Sequence, residues 1–275
     1  MNYSLSGKII GRSICRIGYG AMRITGPDIW GPPSNEREVI DIIRLAIDLG
    51  VQHIDTADAY GPHISEELIK KALYPYNDNL LIATKGGFMR NGPGQWVTNG
   101  DPLYLRRCIE GSLSRLKLEA IDLYYLHRVD ESIPISEQVG ELSNMKKEGK
   151  IKNIGLSKVT LDQIKESTKI DKIAAIQNKF NRLYQHESKE IIKWCEEKNV
   201  AFVPYAPFGI GKCIGYTSLN STEILNSQAA INEISWLLDY SPNIFPIPST
   251  TNIEHLKQNL NILYSQCNKF NGTNI

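Results

Sequence analysis

The sequence predicts an α/β chain folded over residues 1–275 as a single (β/α)8 TIM barrel, and three observations carry that expectation. Short runs rich in branched and aromatic residues alternate with amphipathic stretches, the pattern of parallel strands joined by helices. A length of 275 residues with no evident linker suits a barrel built as one unit. Side chains able to do chemistry fall just after successive strand-like runs, as they do at the C-terminal mouth of a barrel.

The elements follow in order. An early strand at Arg16 to Ala21 leads into a turn-rich segment, Thr25 to Asn35. Glu36 to Leu49 carries Val39, Ile40, Ile43, Ala46 and Ile47 at helical spacing, and Gly50 ends it as a residue able to take a left-handed conformation. Val51 to Asp55 is a strand, Ser65 to Leu73 a helix and Leu80 to Lys85 a strand. After the turn-rich Asn91 to Asp101, helices at Leu103 to Leu116 and Ile135 to Glu148 flank a strand at Ile121 to His127. Strands at Ile151 to Gly155, Ile173 to Asn178, Val200 to Tyr205 and Ile244 to Ile247 alternate with helices at Leu161 to Thr168, Glu187 to Lys198 and Glu223 to Tyr240. A helix at Ile253 to Leu263 completes the set. A doubly wound sheet alternates in the same way but wants a glycine-rich phosphate loop after its first strand, and Gly18-Tyr19-Gly20 supplies only G-x-G.

Composition narrows the partners. A net charge of +1, with 41% hydrophobic and 22% charged residues, marks neither a nucleic-acid footprint nor a membrane-surface patch, so a small molecule is the expected partner. Cys15, Cys108, Cys195, Cys213 and Cys267 form no C-x-x-C pair, which argues against a zinc ribbon or disulfide framework and for a reducing compartment. The first ten residues lack an apolar signal core and no run nears the ~20 apolar residues of a membrane span, so the expected location is the cytoplasm. Oligomeric state is not legible in these features.

Four residues stand out at the strand ends: Asp55, Tyr60, Lys85 and His127. Strand alternation puts Leu81, Ala83 and Lys85 on one face, with His53 and Asp55 and with Leu123, Tyr125 and His127 on the matching faces. In a barrel those faces point inward. A lysine and an aspartate there pair, leaving neither charge unmatched in a partly dry pocket. A phenol is a poor acid at its ordinary pKa near ~10, and an adjacent ammonium stabilises the phenolate, so Tyr60 beside Lys85 is expected to be a general acid tuned downward. His127 is placed to donate to a carbonyl oxygen as negative charge develops on it.

This set, within I-D-T-A-D-A-Y-G, I-A-T-K and D-L-Y-Y-L-H, closely resembles the catalytic tetrad of the aldo-keto reductases. The resemblance continues through Gly149 to Ser157, Gln177 to Asn181, Pro204 to Gly209 and Ile247 to Thr250, and so covers nearly the whole chain. It implies reduction of a carbonyl substrate by hydride from NADPH, with NADH as the alternative donor. It also implies that Ser157 and Gln177 bind the nicotinamide carboxamide, that Tyr205 stacks on the ring, and that Gly209 and Gly211 let backbone approach the pyrophosphate. Gly20, Ala206, Pro207, Ser249, Thr250, His255 and Asn259 complete the implied cofactor contacts. No metal is implied.

The chain departs from the family pattern at two places. Ser249 to Asn252 bring hydroxyls and an amide, and His255 stands where an arginine is frequent, so the charged grip that favours NADP over NAD is reduced. Between Gly211 and Trp236 the family's loop and helices are contracted. Gly26 to Pro33 and Tyr60 to His63 resemble loops of bacterial pyridoxal reductases (pyridoxine 4-dehydrogenases), which implies Trp30 and His63 as pocket residues for a flat aromatic aldehyde or a specialised metabolite. Two rivals stand beside this reading. One is a metal-dependent hydrolase using His53, Asp55 and His127, which Lys85 opposes by charge; the other is a regulatory subunit that keeps the nucleotide as a sensor.

Overall fold

The computed structural model describes residues 3–209 and 227–270. The chain enters through an antiparallel hairpin, β1 (Ser6–Ile9) and β2 (Arg12–Cys15), turned by Ile10 and Gly11 at positive φ. The alternation proper then runs β3 (Tyr19–Gly20), α1 (Glu36–Asp48), β4 (His53–Asp55), α2 (Ile64–Leu73) and β5 (Leu81–Gly86). A second hairpin, β6 (Phe88–Gly92) and β7 (Gln95–Thr98), precedes α3 (Pro102–Leu116), β8 (Leu123–Leu126), α4 (Ile135–Lys147) and β9 (Ile154–Ser157). The chain continues through α5 (Leu161–Ser167), β10 (Ile173–Gln177), α6 (Lys189–Lys198), β11 (Ala201–Phe202), α7 (Ser227–Tyr240) and α8 (Ile253–Phe270).

Seven strands form one parallel sheet in the order β3, β4, β5, β8, β9, β10, β11. The eighth position is filled by an irregular segment rather than by the strand expected at Ile244 to Ile247. On one side Phe202 N donates to Asn243 O and Phe245 N to Phe202 O, both at 2.8 Å. On the other, Gly18 N donates to Pro246 O at 2.9 Å and Gly20 N to Pro248 O at 3.0 Å. The two prolines have no N–H to return toward β3, so that ladder runs one way only and the barrel closes without a regular strand.

Strand alternation sorts the core into layers. Leu81, Ala83, Leu123, Tyr125, Ala175, Ala201, Val203, Phe245 and Ile247 fill the lumen, and Ile9 and Ile14 of the first hairpin plug its lower end. The outward residues pack on helices: Ile54 and Ile82 against Val39, Ile42 and Ile43, and Leu126 and Ile154 against Ile109, Val139 and Leu142. Each such side chain contributes about 1.5–3 kcal/mol by leaving water. Buried Arg16 ties hairpin, closure and α7 together, donating to Ser4 O (2.9 Å), Ile244 O (3.0 Å), Leu238 O (3.0 Å) and Ser241 O.

One lumen contact gives a stability test. Gly155 lies in register with Tyr125, and a Cβ on it would stand 2.4 Å from the tyrosine ring. Gly155→Ala therefore overpacks the lumen and is expected to lower unfolding free energy by about 1–3 kcal/mol, read as a lower urea midpoint. An unchanged midpoint would contradict this packing.

Helix ends follow local chemistry. Asn35 and Asp101 accept from Glu38 N and Tyr104 N, Thr160 and Gln163 form a capping box, and Gly50 takes the expected left-handed turn at φ 95°. Several boundaries differ from the sequence expectation. The first barrel strand is shorter than Arg16 to Ala21, the strand expected at Ile151 to Gly155 sits at Ile154–Ser157 with Ile151 only bridging Ile121, and the last helix runs on to Phe270. Of the helix expected at Glu223 to Tyr240, the described part is Ser227–Tyr240; Gly211, Cys213 and the contracted segment up to residue 226 lie outside the described residues. Among the described residues no helix is long and apolar enough to cross a membrane.

Candidate active site

Asp55 ends β4, Lys85 sits at the C-terminal end of β5 and His127 follows β8, so three adjacent strands deliver them to one mouth of the barrel. Tyr60 arrives on the turn after β4. Asp58 N donates to Lys85 O at 3.1 Å and Ser65 N to Tyr60 O at 3.1 Å, which pins the turn to β5 below and α2 behind. Gly61 has φ 101°, and a Cβ there would lie 2.4 Å from that of Ile64; only glycine lets α2 start so close to Tyr60.

The four side chains meet. The fully buried Lys85 ammonium donates to Asp55 Oδ1, to Thr56 O at 2.7 Å and to Tyr60 Oη at 3.5 Å, which accounts for its three N–H groups. Gln177 Nε2 donates to Asp55 Oδ2 at 2.7 Å, so both carboxylate oxygens are engaged. The Tyr60 and His127 rings meet edge to face with centroids 5.8 Å apart, and Phe88 packs on His127 at 4.7 Å.

Burial sets the protonation states. It disfavours the Lys85 ammonium, but Asp55 and Tyr60 outweigh it and hold the group above the usual lysine range. Burial and the charges of Lys85 and Arg128 push His127 well below the usual imidazole range, so it is neutral. Tyr60 corrects the sequence expectation of a phenol tuned downward. Burial pushes it up, and Lys85 and Arg128 oppose that rise without reversing it. The site therefore holds a protonated phenol, a fixed ammonium and a neutral imidazole. Such a group can donate two hydrogen bonds to one oxygen and pass it a proton.

A cavity of about 1060 Å³ opens above the four residues, with Asp55, Tyr60 and His127 in its wall and Lys85 beneath them. Gly20, Ser157, Gln177, Tyr205, Ala206, Pro207 and Gly209 line it, as do Ser249, Thr250, His255 and Asn259. All the implied cofactor positions among the described residues thus face one space. Trp30 and His63 do not, which corrects their expected place in a substrate pocket. Trp30 pairs its backbone with Gly61 and presents its ring to the Arg90 guanidinium at 5.5 Å, while His63 starts α2 with φ 72° near Arg115, Glu66 and Glu67. The aromatic wall comes instead from Phe88 and Trp96 of the β6–β7 hairpin. Arg90 stacks 3.6 Å from the Trp96 ring centre and donates to Ile29 O and Ala59 O, fixing the hairpin beside the Tyr60 turn.

Sequence reasoning missed Phe88, Trp96 and Arg128, all in the cavity wall. The hairpin had a signal in Asn91-Gly92-Pro93-Gly94, which marks a tight turn between short extended runs. Arg128 had one in its position directly after His127, where a barrel's loops build sites. Among the described residues no three histidine, cysteine or acidic side chains are grouped to hold a metal ion.

Behind the Tyr60 turn, Asp58 Oδ1 is buried without a partner, and burial, followed by the charge of Glu66, pushes this carboxyl up to about 7. The folded protein therefore keeps a proton that the unfolded chain releases near its ordinary value of about 4. Stability is expected to fall as pH rises from about 4 to about 7 and to level off above, and Asp58→Asn should flatten that slope. Urea midpoints at several pH values check this; an equal slope in wild type and variant would contradict it.

The fold and this site define a barrel oxidoreductase of one class: the Aldo/keto reductase family model matches residues 16–269, and the chain belongs to that family. It is 40% identical over 247 residues to an uncharacterized oxidoreductase of Schizosaccharomyces pombe, covering 89% of this chain and 80% of that protein. It is 36% identical over 263 residues to the pyridoxine 4-dehydrogenase of Escherichia coli, covering 90% of this chain and 89% of that protein. A Klebsiella pneumoniae aldo/keto reductase solved with NADP and acetate shares the fold with a TM-score of 0.76 at 20% identity, over 97% of this chain and 95% of that one.

Proposed function

We propose that the protein reduces an aldehyde or ketone to an alcohol with hydride from NADPH, Tyr60 giving the proton to the carbonyl oxygen. The observation that carries this reading is the Lys85 ammonium, whose three donors are spent on Asp55, Thr56 and Tyr60 inside the cavity wall. When bound, NADPH supplies the hydride that reaches the carbonyl carbon. Tyr60 and neutral His127 hold the carbonyl oxygen, drawing electron density from the carbon and stabilising the negative charge that grows on oxygen. Tyr60 releases its proton to that oxygen, and Lys85, held by Asp55, stabilises the phenolate left behind. Solvent then reprotonates Tyr60. The high resting position of the phenol suits a donor that stays protonated until charge develops beside it.

The residues present fit a dinucleotide. Ser157 and Gln177 offer both donor and acceptor to an amide head, and the Tyr205 ring offers a flat face. At the far end Asn259 is buried with Oδ1 unpartnered, an acceptor suited to an amino group such as that of adenine. The start of α8 has Thr250 accepting from Asn252 N and Asn252 accepting from His255 N, with no lysine or arginine between residues 249 and 256. The Klebsiella structure, solved with NADP, makes NADPH the first donor to try, and the start of this helix adds no lysine or arginine in support of that choice.

The E. coli relative makes pyridoxal the first aldehyde to try. A fluorescence titration with NADPH and NADH, followed by an aldehyde panel that includes pyridoxal, tests the reading. NADPH binding with aldehyde-dependent oxidation is expected. Binding of neither nucleotide would overturn it, and binding without turnover of any aldehyde would assign the chain to a regulatory role.

A further inference from the structure

Arg128 is a cavity cation that the proton-delivery chemistry does not use. It leaves the same strand end as His127, and its guanidinium lies 5.5 Å from the Phe88 ring and 5.7 Å from the Tyr205 ring. The same Phe88 ring packs on His127 at 4.7 Å, so guanidinium and imidazole border one aromatic wall.

Its hydrogen bonds run through one nitrogen. Nη1 donates to His127 O at 2.5 Å and to Ser157 Oγ at 3.0 Å; among the described residues Nε and Nη2 donate to nothing. No carboxylate of the described residues lies within ion-pair distance of it. The other charges near the cavity are accounted for: Arg182 is paired with Glu233 at 3.0 Å, Asp55 with Lys85, and Arg23 is solvent-exposed. Arg128 is half-buried beside two aromatic faces, and a bound molecule that covers its free edge without supplying an anion would strip water from unmatched donors, which is costly. Its planar fork matches a pair of anionic oxygens.

We infer that Arg128 is an anion subsite beside the reacting carbonyl, and that the preferred substrate is a carbonyl compound bearing an anionic oxygen group close to that carbonyl, as a carboxylate or an ionised phenol. The inference rests on the carbonyl-reductase reading for the identity of its ligand, while the anion site itself can be read without turnover. It explains why Ser157 and His127 hold only one nitrogen of the arginine: those two bonds orient the free edge toward the space above Tyr60. A neutral aldehyde leaves that edge unmatched.

Two matched substrate pairs test it: pyridoxal against isonicotinaldehyde, which lacks the ionisable phenol, and 3-carboxybenzaldehyde against benzaldehyde. For each pair the ratio of kcat/KM, charged over neutral, is measured in wild type, Arg128→Gln and Arg128→Lys. The ratio is expected to fall about 10- to 100-fold in Arg128→Gln and to be partly restored in Arg128→Lys. A fall in one pair alone assigns the anion to that kind of oxygen; an unchanged ratio in both pairs overturns the inference. Calorimetric titration of isophthalate into wild type and Arg128→Gln, with and without NADP, gives a second readout. Saturable binding to wild type, at least about tenfold weaker in the variant, supports the subsite even if no aldehyde is reduced, in which case the reductase reading fails alone. Turnover of all four aldehydes with equal losses in the variant, and no isophthalate binding, keeps the reductase reading and removes the subsite.

Discussion

Tyr60→Phe is expected to lower kcat about 10²- to 10⁴-fold while NADPH affinity and the urea midpoint stay close to wild type. The phenol ring contributes packing that phenylalanine keeps, including the edge contact with His127 at 5.8 Å. Only the hydroxyl is lost, and its one direct partner at the base of the site is Lys85 Nζ at 3.5 Å. Removing it takes away the proton donor but leaves Lys85 bonded to Asp55 and Thr56. Full activity in the variant would refute the assigned role. Steady-state kinetics with an aldehyde that wild type reduces, together with nucleotide fluorescence, separate loss of chemistry from loss of binding.

Lys85→Met is expected to fail in a second way as well. Methionine fills much of the same volume in the lumen but supplies no charge, and Asp55 is then a nearly fully buried carboxylate whose remaining side-chain partner among the described residues is Gln177. Breaking a buried ion pair from one side costs about 3–5 kcal/mol, so the variant should unfold at distinctly lower urea as well as lose turnover. The contrast between a stable, inactive Tyr60→Phe and a destabilised, inactive Lys85→Met follows from where the charge sits. An equally stable Lys85→Met would contradict this account of the buried pair.

The sequence was most legible where periodicity and chemistry coincided. Strand alternation gave the inward faces that carry Asp55, Lys85 and His127, whereas Tyr60, on the turn after β4, was placed with them by its nearness to Asp55 and by the family resemblance. Gly50 and the helix at Glu36 to Leu49 were equally plain, since the apolar stripe and the stop signal agree. Elsewhere tertiary bonding overrode the local pattern. The eighth strand read as a strand from its branched and aromatic residues, yet Pro246 and Pro248 limit it to accepting bonds on the side that faces β3. The first hairpin turns at Ile10, a residue that gives no turn signal of its own. Trp30 seemed suited to a pocket by its type, but Arg90, bonded to Ile29 O and Ala59 O, stands between its ring and that of Trp96 in contact with both, and Trp96 is the one that lines the cavity. The direction of the Tyr60 shift was missed because pairwise charge is visible in a sequence whereas depth of burial is not.

The most direct test follows one atom. NADPH carrying deuterium at the reactive C4 position is supplied with pyridoxal or the best aldehyde of the panel, and the alcohol is examined by mass spectrometry. One deuterium on the carbinol carbon is expected with wild type, and no labelled alcohol at comparable enzyme and time with Tyr60→Phe. Alcohol formed without the label, or labelled alcohol formed equally by Tyr60→Phe, would contradict hydride transfer with proton delivery from Tyr60.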